Sequence, residues 1–162
     1  MNYTDENRGI IQNRERARQI NDFRNLRMKR NITPTDIDGY FEYDDKAFIF
    51  YELKHGEARP SHGQSLAFTR IVDAINETGK DAVLFLCSHD VDDPEQDVDA
   101  AESKVVGCYL GKKTAYFDDE SGTYQVWRKD QKHRNARQIT VDFLKYALGD
   151  EAVMIVPDGD LQ

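Results

Sequence analysis

Long apolar runs and a cysteine cluster are missing from this 162-residue sequence, and no N-terminal leader is expected. No stretch approaches the roughly 18 apolar residues that span a bilayer, which argues against a transmembrane helix. The opening Met1-Asn2-Tyr3-Thr4-Asp5-Glu6 has no apolar core of the kind a signal peptide needs. The expected location is therefore cytoplasmic, with no membrane partner. Only two cysteines occur, Cys87 and Cys108, each inside a strand-like apolar run. Neither has a CxxC or Cys/His spacing, so a zinc site is not expected. In a reducing cytosol both should be buried free thiols.

What is present suits one domain, since domains typically run to roughly 100–200 residues. Hydrophobic residues make up 39% of the chain and include eight Phe and eight Tyr, enough to close a core. Charge is unevenly spread. Residues 1–30 hold eight Lys/Arg against four Asp/Glu, a balance of +4 that leaves −12 for the rest of a chain totalling −8. A basic N-terminal segment on an acidic body is compatible with local phosphate contacts, and equally with a solvated helix surface.

Residues 7 to 29 contain no proline and read as one long helix. Ala17, Ile20, Phe23 and Leu26 form its apolar face, with Arg14, Arg16, Arg18, Arg24 and Arg27 around it. Thr33-Pro34-Thr35 ends it, because proline pushes the preceding residue out of helical geometry. Two strand-like runs follow, Asp36 to Tyr43 and Lys46 to Lys54. Ser61 caps a predicted helix from about His62 to Thr78, with Gly79 as its stop. Ala82 to Cys87 reads as a strand covered on both faces. Residues 89–103 carry seven carboxylates and no Lys or Arg, but lack the glycine and spacing of a calcium loop. They read as a solvated loop. Val105 to Leu110, Thr114 to Phe117 and Thr123 to Arg128 are further predicted strands. Asn135 to Leu148 is a helix ending at Gly149, and Ala152 to Val156 a last strand. The expected domain spans 1–162, with a core at 7–90 and a C-terminal extension at 104–157.

The chemistry concentrates between Asp36 and Lys54. A two-residue loop would pair Tyr43 with Lys46 and mix charges into an apolar face. A three-residue loop pairs Tyr43 with Ala47, Phe41 with Ile49, Gly39 with Tyr51 and Ile37 with Leu53. That register assembles one apolar face, and a one-residue slip would invert it. The opposite face then carries Asp36 across from Lys54, Asp38 across from Glu52, and Tyr40 across from Phe50. Two carboxylates this close repel, and one protonates unless a cation lies between them. Magnesium suits such a pair, because it prefers hard oxygen ligands. The residues alone leave two readings open: that metal site, or a simple ion pair between Glu52 and Lys54.

Asp38, thirteen intervening residues and then Glu52-Leu53-Lys54 at the end of an apolar strand resemble the PD-(D/E)xK nuclease superfamily. Thr33-Pro34-Thr35-Asp36-Ile37-Asp38-Gly39 is similar to the Asp-bearing strand of its resolvase-like and restriction-like branches. The chain also resembles small phage or prophage proteins. The resemblance covers residues 7 to 87. It implies an α/β fold with a restriction-endonuclease-like core: helix, β-hairpin plus strands in a mixed sheet, helix, then C-terminal strands and a helix. It implies Asp38 and Glu52 as ligands of Mg2+ or Mn2+, the Leu53 carbonyl as a further ligand, and Lys54 as the motif's lysine. Gln64 matches the glutamine that some branches carry on the next helix, and Glu15 a glutamate of the first helix. No proline directly precedes Asp38, so Asp36, which points the same way in a strand, stands as the alternative ligand.

The activity implied is metal-dependent hydrolysis of DNA phosphodiester bonds, with DNA as substrate on family grounds. Arg14, Arg18, Arg59 and His55 are the expected phosphate contacts. His62, also beside the motif, reads as an ordinary loop histidine, and Trp127 as a core residue rather than a stacking patch. A homodimer is the assembly to expect if both strands of a duplex are cut. Two rival readings remain at this stage. One is a catalytically inactive module that binds nucleic acid or protein. The other is an acidic DNA mimic, motivated by the carboxylates of residues 89–103.

Overall fold

In the computed structural model the residues described are 11, 13–19, 22–111, 117–118, 123–124 and 134–149. By its internal contacts the chain divides into two units, residues 1–34 with 155–162, and residues 35–154.

The N-terminal unit corrects one expectation. Among its described residues the single helix expected over 7–29 is absent. In its place are a four-residue helix, α1 (Arg14–Ala17), and two 3-10 turns, Arg24–Leu26 and Lys29–Asn31. Local side chains explain the interruptions. Asn13 accepts the Arg16 N–H at 2.9 Å, and Asp22 accepts both the Arg24 N–H and its guanidinium. Short polar side chains compete in this way with continued helix. Arg30 adopts φ 66, which no α-helix tolerates. Leu26, on the supposed apolar face, is exposed, and helices this short draw their stability from packing.

The second unit is an α/β domain built on a four-stranded mixed sheet in the order β1-β2-β3-β4. β1 (Gly39–Tyr43) and β2 (Ala47–His55) form an antiparallel hairpin. Its register is Tyr43↔Ala47, Phe41↔Ile49 and Gly39↔Tyr51, as apolar matching required. The three-residue turn places Asp44 and Asp45 at φ 51 and 55, a region Asp tolerates better than most residues. α2 (His62–Glu77) then crosses over to β3 (Asp81–His89), parallel to β2. β4 (Lys104–Tyr109) returns antiparallel to β3, with a register shift between Leu86 and Cys87. A short ribbon, β5 (Phe117–Asp118) with β6 (Thr123–Tyr124), precedes α3 (Ala136–Leu148). The remainder of the predicted strands over 114–117 and 123–128, Trp127, and the strand over 152–156 lie outside the described residues.

Helices cover both faces of the sheet, and each face has its own core. Ile49, Val83, Phe85, Cys87 and Val105 pack against Ile139, Phe143 and Leu144 of α3. Phe50, Ala82 and Leu84 pack against Phe68 and Val72 of α2. β2 and β3 are buried on both sides, which is why their sequences are nearly continuous apolar runs. Fully burying a side chain such as Phe68, Phe85 or Phe143 contributes about 1.5–3 kcal/mol. Cys87 and Cys108 are free thiols; burial pushes the Cys87 thiol up to about 12, which leaves it unreactive.

Both long helices start on a capping box. Ser61 with Gln64 closes the N-terminus of α2, and Asn135 with Gln138 that of α3. At the other end of α2, buried Asn76 accepts the Ala82 N–H at 2.8 Å and donates to the Leu110 carbonyl at 3.0 Å. Asn76→Ala leaves both backbone groups without these partners and should cost about 2–3 kcal/mol, read as a shift of the urea midpoint. An unchanged midpoint would show that water replaces the amide.

Candidate functional site

The elements that position the candidate site are the entry to β1, the end of β2 and the start of α2. The hairpin ladder ends at Gly39↔Tyr51. There the Tyr51 side chain lies against Gly39: a Cβ on Gly39 would be 3.2 Å from Tyr51 Cδ2. One residue earlier, the Asp38 carboxylate accepts the Leu53 N–H at 2.8 Å. A side chain thus replaces the next backbone rung and holds Asp38 beside the Glu52-Leu53-Lys54 segment.

Alternation along β2 puts Phe48, Phe50, Glu52 and Lys54 on the α2 face. Phe50 sits in the core below, and Glu52 follows it inward with no solvent exposure at all. Lys54, on the same face, brings its ammonium 2.5 Å from Glu52 Oε1 and keeps 27% of its side chain exposed. That charge-assisted contact occupies Oε1; among the described residues nothing besides Lys54 donates to either Glu52 oxygen. A buried carboxylate with a single donor is costly.

The electrostatics follow from that count of charges. Burial pushes the Glu52 carboxyl above its usual range; Lys54 pulls it down, and Asp38 and Asp36 push it further up. For Lys54, burial alone would lower the ammonium. The carboxylates of Glu52, Asp38 and Asp36 outweigh that, and the net direction is up. Three carboxylates therefore share one ammonium, and Glu52 bears the surplus of negative charge.

Gln64 joins this group through Asp36. Its amide donates to Asp36 Oδ1 at 3.1 Å, while its oxygen accepts the Ser61 N–H at 3.3 Å. One side chain both caps α2 and ties that helix to the segment leading into β1. The strand expected to begin at Asp36 begins at Gly39, so Asp36 is held by Gln64 and not by strand pairing across from Lys54.

The other candidates are placed less centrally. His55 is exposed, with Nε2 3.0 Å from Asp92 in the acidic loop and its ring edge-on to His89 at 5.5 Å. Arg59 is exposed on the segment between β2 and α2, and His62 is exposed in the first turn of α2. Glu15 and Arg18 are exposed in the N-terminal unit; Arg14 opens α1 there. Sequence reasoning missed Ser88 and His89. Ser88 Oγ donates to the Gly56 carbonyl at 2.6 Å, and Gly56 N–H donates to the His89 carbonyl at 2.9 Å. The polar pair ending an otherwise apolar run was the available signal. These bonds fasten the turn that leaves Lys54.

Among the described residues no three Asp, Glu, His or Cys side chains converge as a ready-made metal cage. A two-carboxylate donor set is nonetheless what magnesium commonly uses, because it retains several waters. Glu52, with Oε2 open among the described residues and Asp38 beside it, fits a hard cation on that ground. No family model, curated protein or solved structure matches the chain.

Proposed function

We propose that the chain is a metal-dependent nuclease of the PD-(D/E)xK type, hydrolysing DNA phosphodiester bonds at Asp38, Glu52 and Lys54. The observation that carries this reading is Glu52: a fully buried carboxylate with Lys54 as its one partner among the described residues, Oε2 left open, and Asp38 beside it. Asp38, Glu52 and the Leu53 carbonyl would hold Mg2+ or Mn2+. Bound there, the metal supplies water activation and stabilises charge developing on the phosphate. Lys54 keeps its proton above the ordinary lysine range and so stays a fixed positive charge that can orient water or meet a phosphate oxygen. Gln64 holds Asp36 and the helix start in place.

A restriction-endonuclease-like core is the fold reading that goes with this. Its support is the order hairpin, crossover helix, parallel strand, with the carboxylates at the carboxyl end of β2, where α/β sheets usually bind ligands. His55, the last residue of that strand, and Arg59, on the segment after it, are the phosphate contacts proposed in this unit. Arg14, Arg18 and the supporting Glu15 are proposed from the N-terminal unit, and a cytoplasmic homodimer is the assembly proposed. No helix among the described residues is long and apolar enough to cross a membrane.

The test is cleavage of branched, duplex and single-stranded DNA with magnesium or manganese, comparing the wild type with Glu52→Ala and Lys54→Ala. Metal-dependent cutting that both substitutions abolish is the expected result. A folded wild type that cuts no substrate and binds no metal would leave the alternative, a binding-only module. That alternative draws on the Lys54 ammonium already lying against Glu52.

A further inference from the structure

On the α2 face of the hairpin, the row next to Asp38 and Glu52 is Tyr40 opposite Phe50. The two rings lie 5.2 Å apart with their planes at 33°. Phe50 is buried and meets Phe68 of α2 at 6.4 Å, so its ring is a fixed support. Tyr40 lies outside that cover and is 54% exposed. Among the described residues it is the aromatic in the set of large apolar side chains left exposed. In the following row Phe48 carries the Lys80 ammonium over its ring at 5.6 Å, so its face is already taken. The ring of Tyr40 is backed on one side by Phe50.

Position gives this exposed ring its meaning. Tyr40 follows Asp38 by two residues, which keeps their Cα atoms within about 7 Å. A ligand whose phosphate reached Asp38 and Glu52 would bring its adjoining group over the ring. Outside its first thirty residues the chain has a net charge of −12, which opposes the dense phosphates of a duplex. Affinity must then come from something other than bulk charge. Aromatic–base stacking supplies it, is indifferent to base identity, and needs a base not already paired and stacked in a duplex.

We infer that Tyr40 is a base-stacking residue of the site, and that its substrate there is an unpaired DNA strand. The identity of the ligand as DNA rests on the nuclease reading; the stacking role rests on the Tyr40–Phe50 geometry beside Asp38.

The test measures binding of a fluorescein-labelled single-stranded oligodeoxynucleotide, and of the same sequence as a duplex, by anisotropy in magnesium. Full-length wild type, Tyr40→Phe and Tyr40→Leu are compared, together with oligonucleotides carrying an abasic site at successive positions. Leucine keeps an apolar cover over Phe50 and removes the aromatic face, so a merely structural Tyr40 would tolerate it. The expected result is a loss of about five- to 150-fold in single-strand affinity for Tyr40→Leu, near-wild-type affinity for Tyr40→Phe, and little change on duplex. One abasic position should weaken the wild type by a similar factor and leave Tyr40→Leu unaffected, since a coupled pair is not additive. Equal single-strand binding by wild type and Tyr40→Leu overturns the inference, as does a wild type that prefers duplex. Metal-dependent cutting that Tyr40→Leu leaves intact on both substrates overturns it while sparing the nuclease reading. Tyr40-dependent binding without cleavage of any DNA does the reverse.

Discussion

Glu52→Gln is expected to melt above the wild type in metal-free buffer while cleaving DNA about 10²–10³-fold more slowly. The two effects share one cause. Glu52 is fully buried, has only Lys54 as a donor, and is pushed toward its neutral form by burial and by Asp38 and Asp36. Glutamine occupies the same volume without the charge, and its amide adds a donor next to carboxylates. Lys54 loses one partner but keeps partial exposure and two nearby carboxylates, so its charge is not stranded. This is why the usual penalty for removing half of a buried ion pair should not apply. Loss of a preorganised charge from the site supplies the drop in rate, of the size seen when single electrostatic groups are removed elsewhere. A variant that is less stable than the wild type would mean that the Glu52–Lys54 pair is net favourable, and the metal argument would weaken with it.

The same asymmetry sets a pH dependence. The folded-state pKa of Glu52 lies above the unfolded value, so the folded protein binds the proton more tightly. Its contribution to stability is complete below the ordinary glutamate range and is lost as pH rises through the raised value. Lys54 shifts in the same direction, but its contribution persists until alkaline pH. Wild type and Glu52→Gln should therefore have similar stabilities in acid and diverge as pH rises above the ordinary glutamate range. Urea unfolding in chelator across that range checks it. A gap that narrows with rising pH would show that Glu52 is favoured in its charged form.

Where the sequence predicted structure well, the same residues served two levels at once. Phe41, Tyr43, Ala47 and Ile49 are both strand formers and one apolar face, so only one hairpin register buries them, and that register is found. Ser61 with Gln64, and Asn135 with Gln138, mark helix starts because the capping bonds are local. The N-terminal segment fails for the converse reason. Its helical periodicity lies in residues such as Leu26 that remain exposed, while Asn13 and Asp22 bond locally and break the helix. The candidate site was legible as a set of residues and less so as a set of bonds. Asp38 and Glu52 were expected as cross-strand neighbours, yet Asp38 is held by the Leu53 N–H after the ladder has ended. Asp36 reaches Gln64 across 28 positions, and His55 reaches Asp92 across 37. Partners that distant depend on how α2 and the acidic loop pack, which no local pattern encodes.

Magnesium or manganese should raise the melting temperature of the wild type and leave Glu52→Gln unmoved. The reasoning is linkage: a ligand that binds the folded chain and not the unfolded one stabilises it by RT ln(1 + [L]/Kd). At a hundredfold excess over Kd this is about 2.7 kcal/mol, and for a chain of this length each kcal/mol is about 2–4 °C, so the rise is roughly 5–10 °C. The site adds a specific reason for a large response. Metal-free, buried Glu52 has Lys54 as its one donor among the described residues, and that single ammonium faces three carboxylates. A cation at Asp38 and Glu52 removes that repulsion and meets the open Oε2. The response should also grow with pH, since the metal competes with the proton on Glu52. Sodium at matched ionic strength controls for screening, which would move wild type and variant alike. An equal rise in both proteins would place any bound metal elsewhere and remove the cation from this site, whatever the cleavage assay shows.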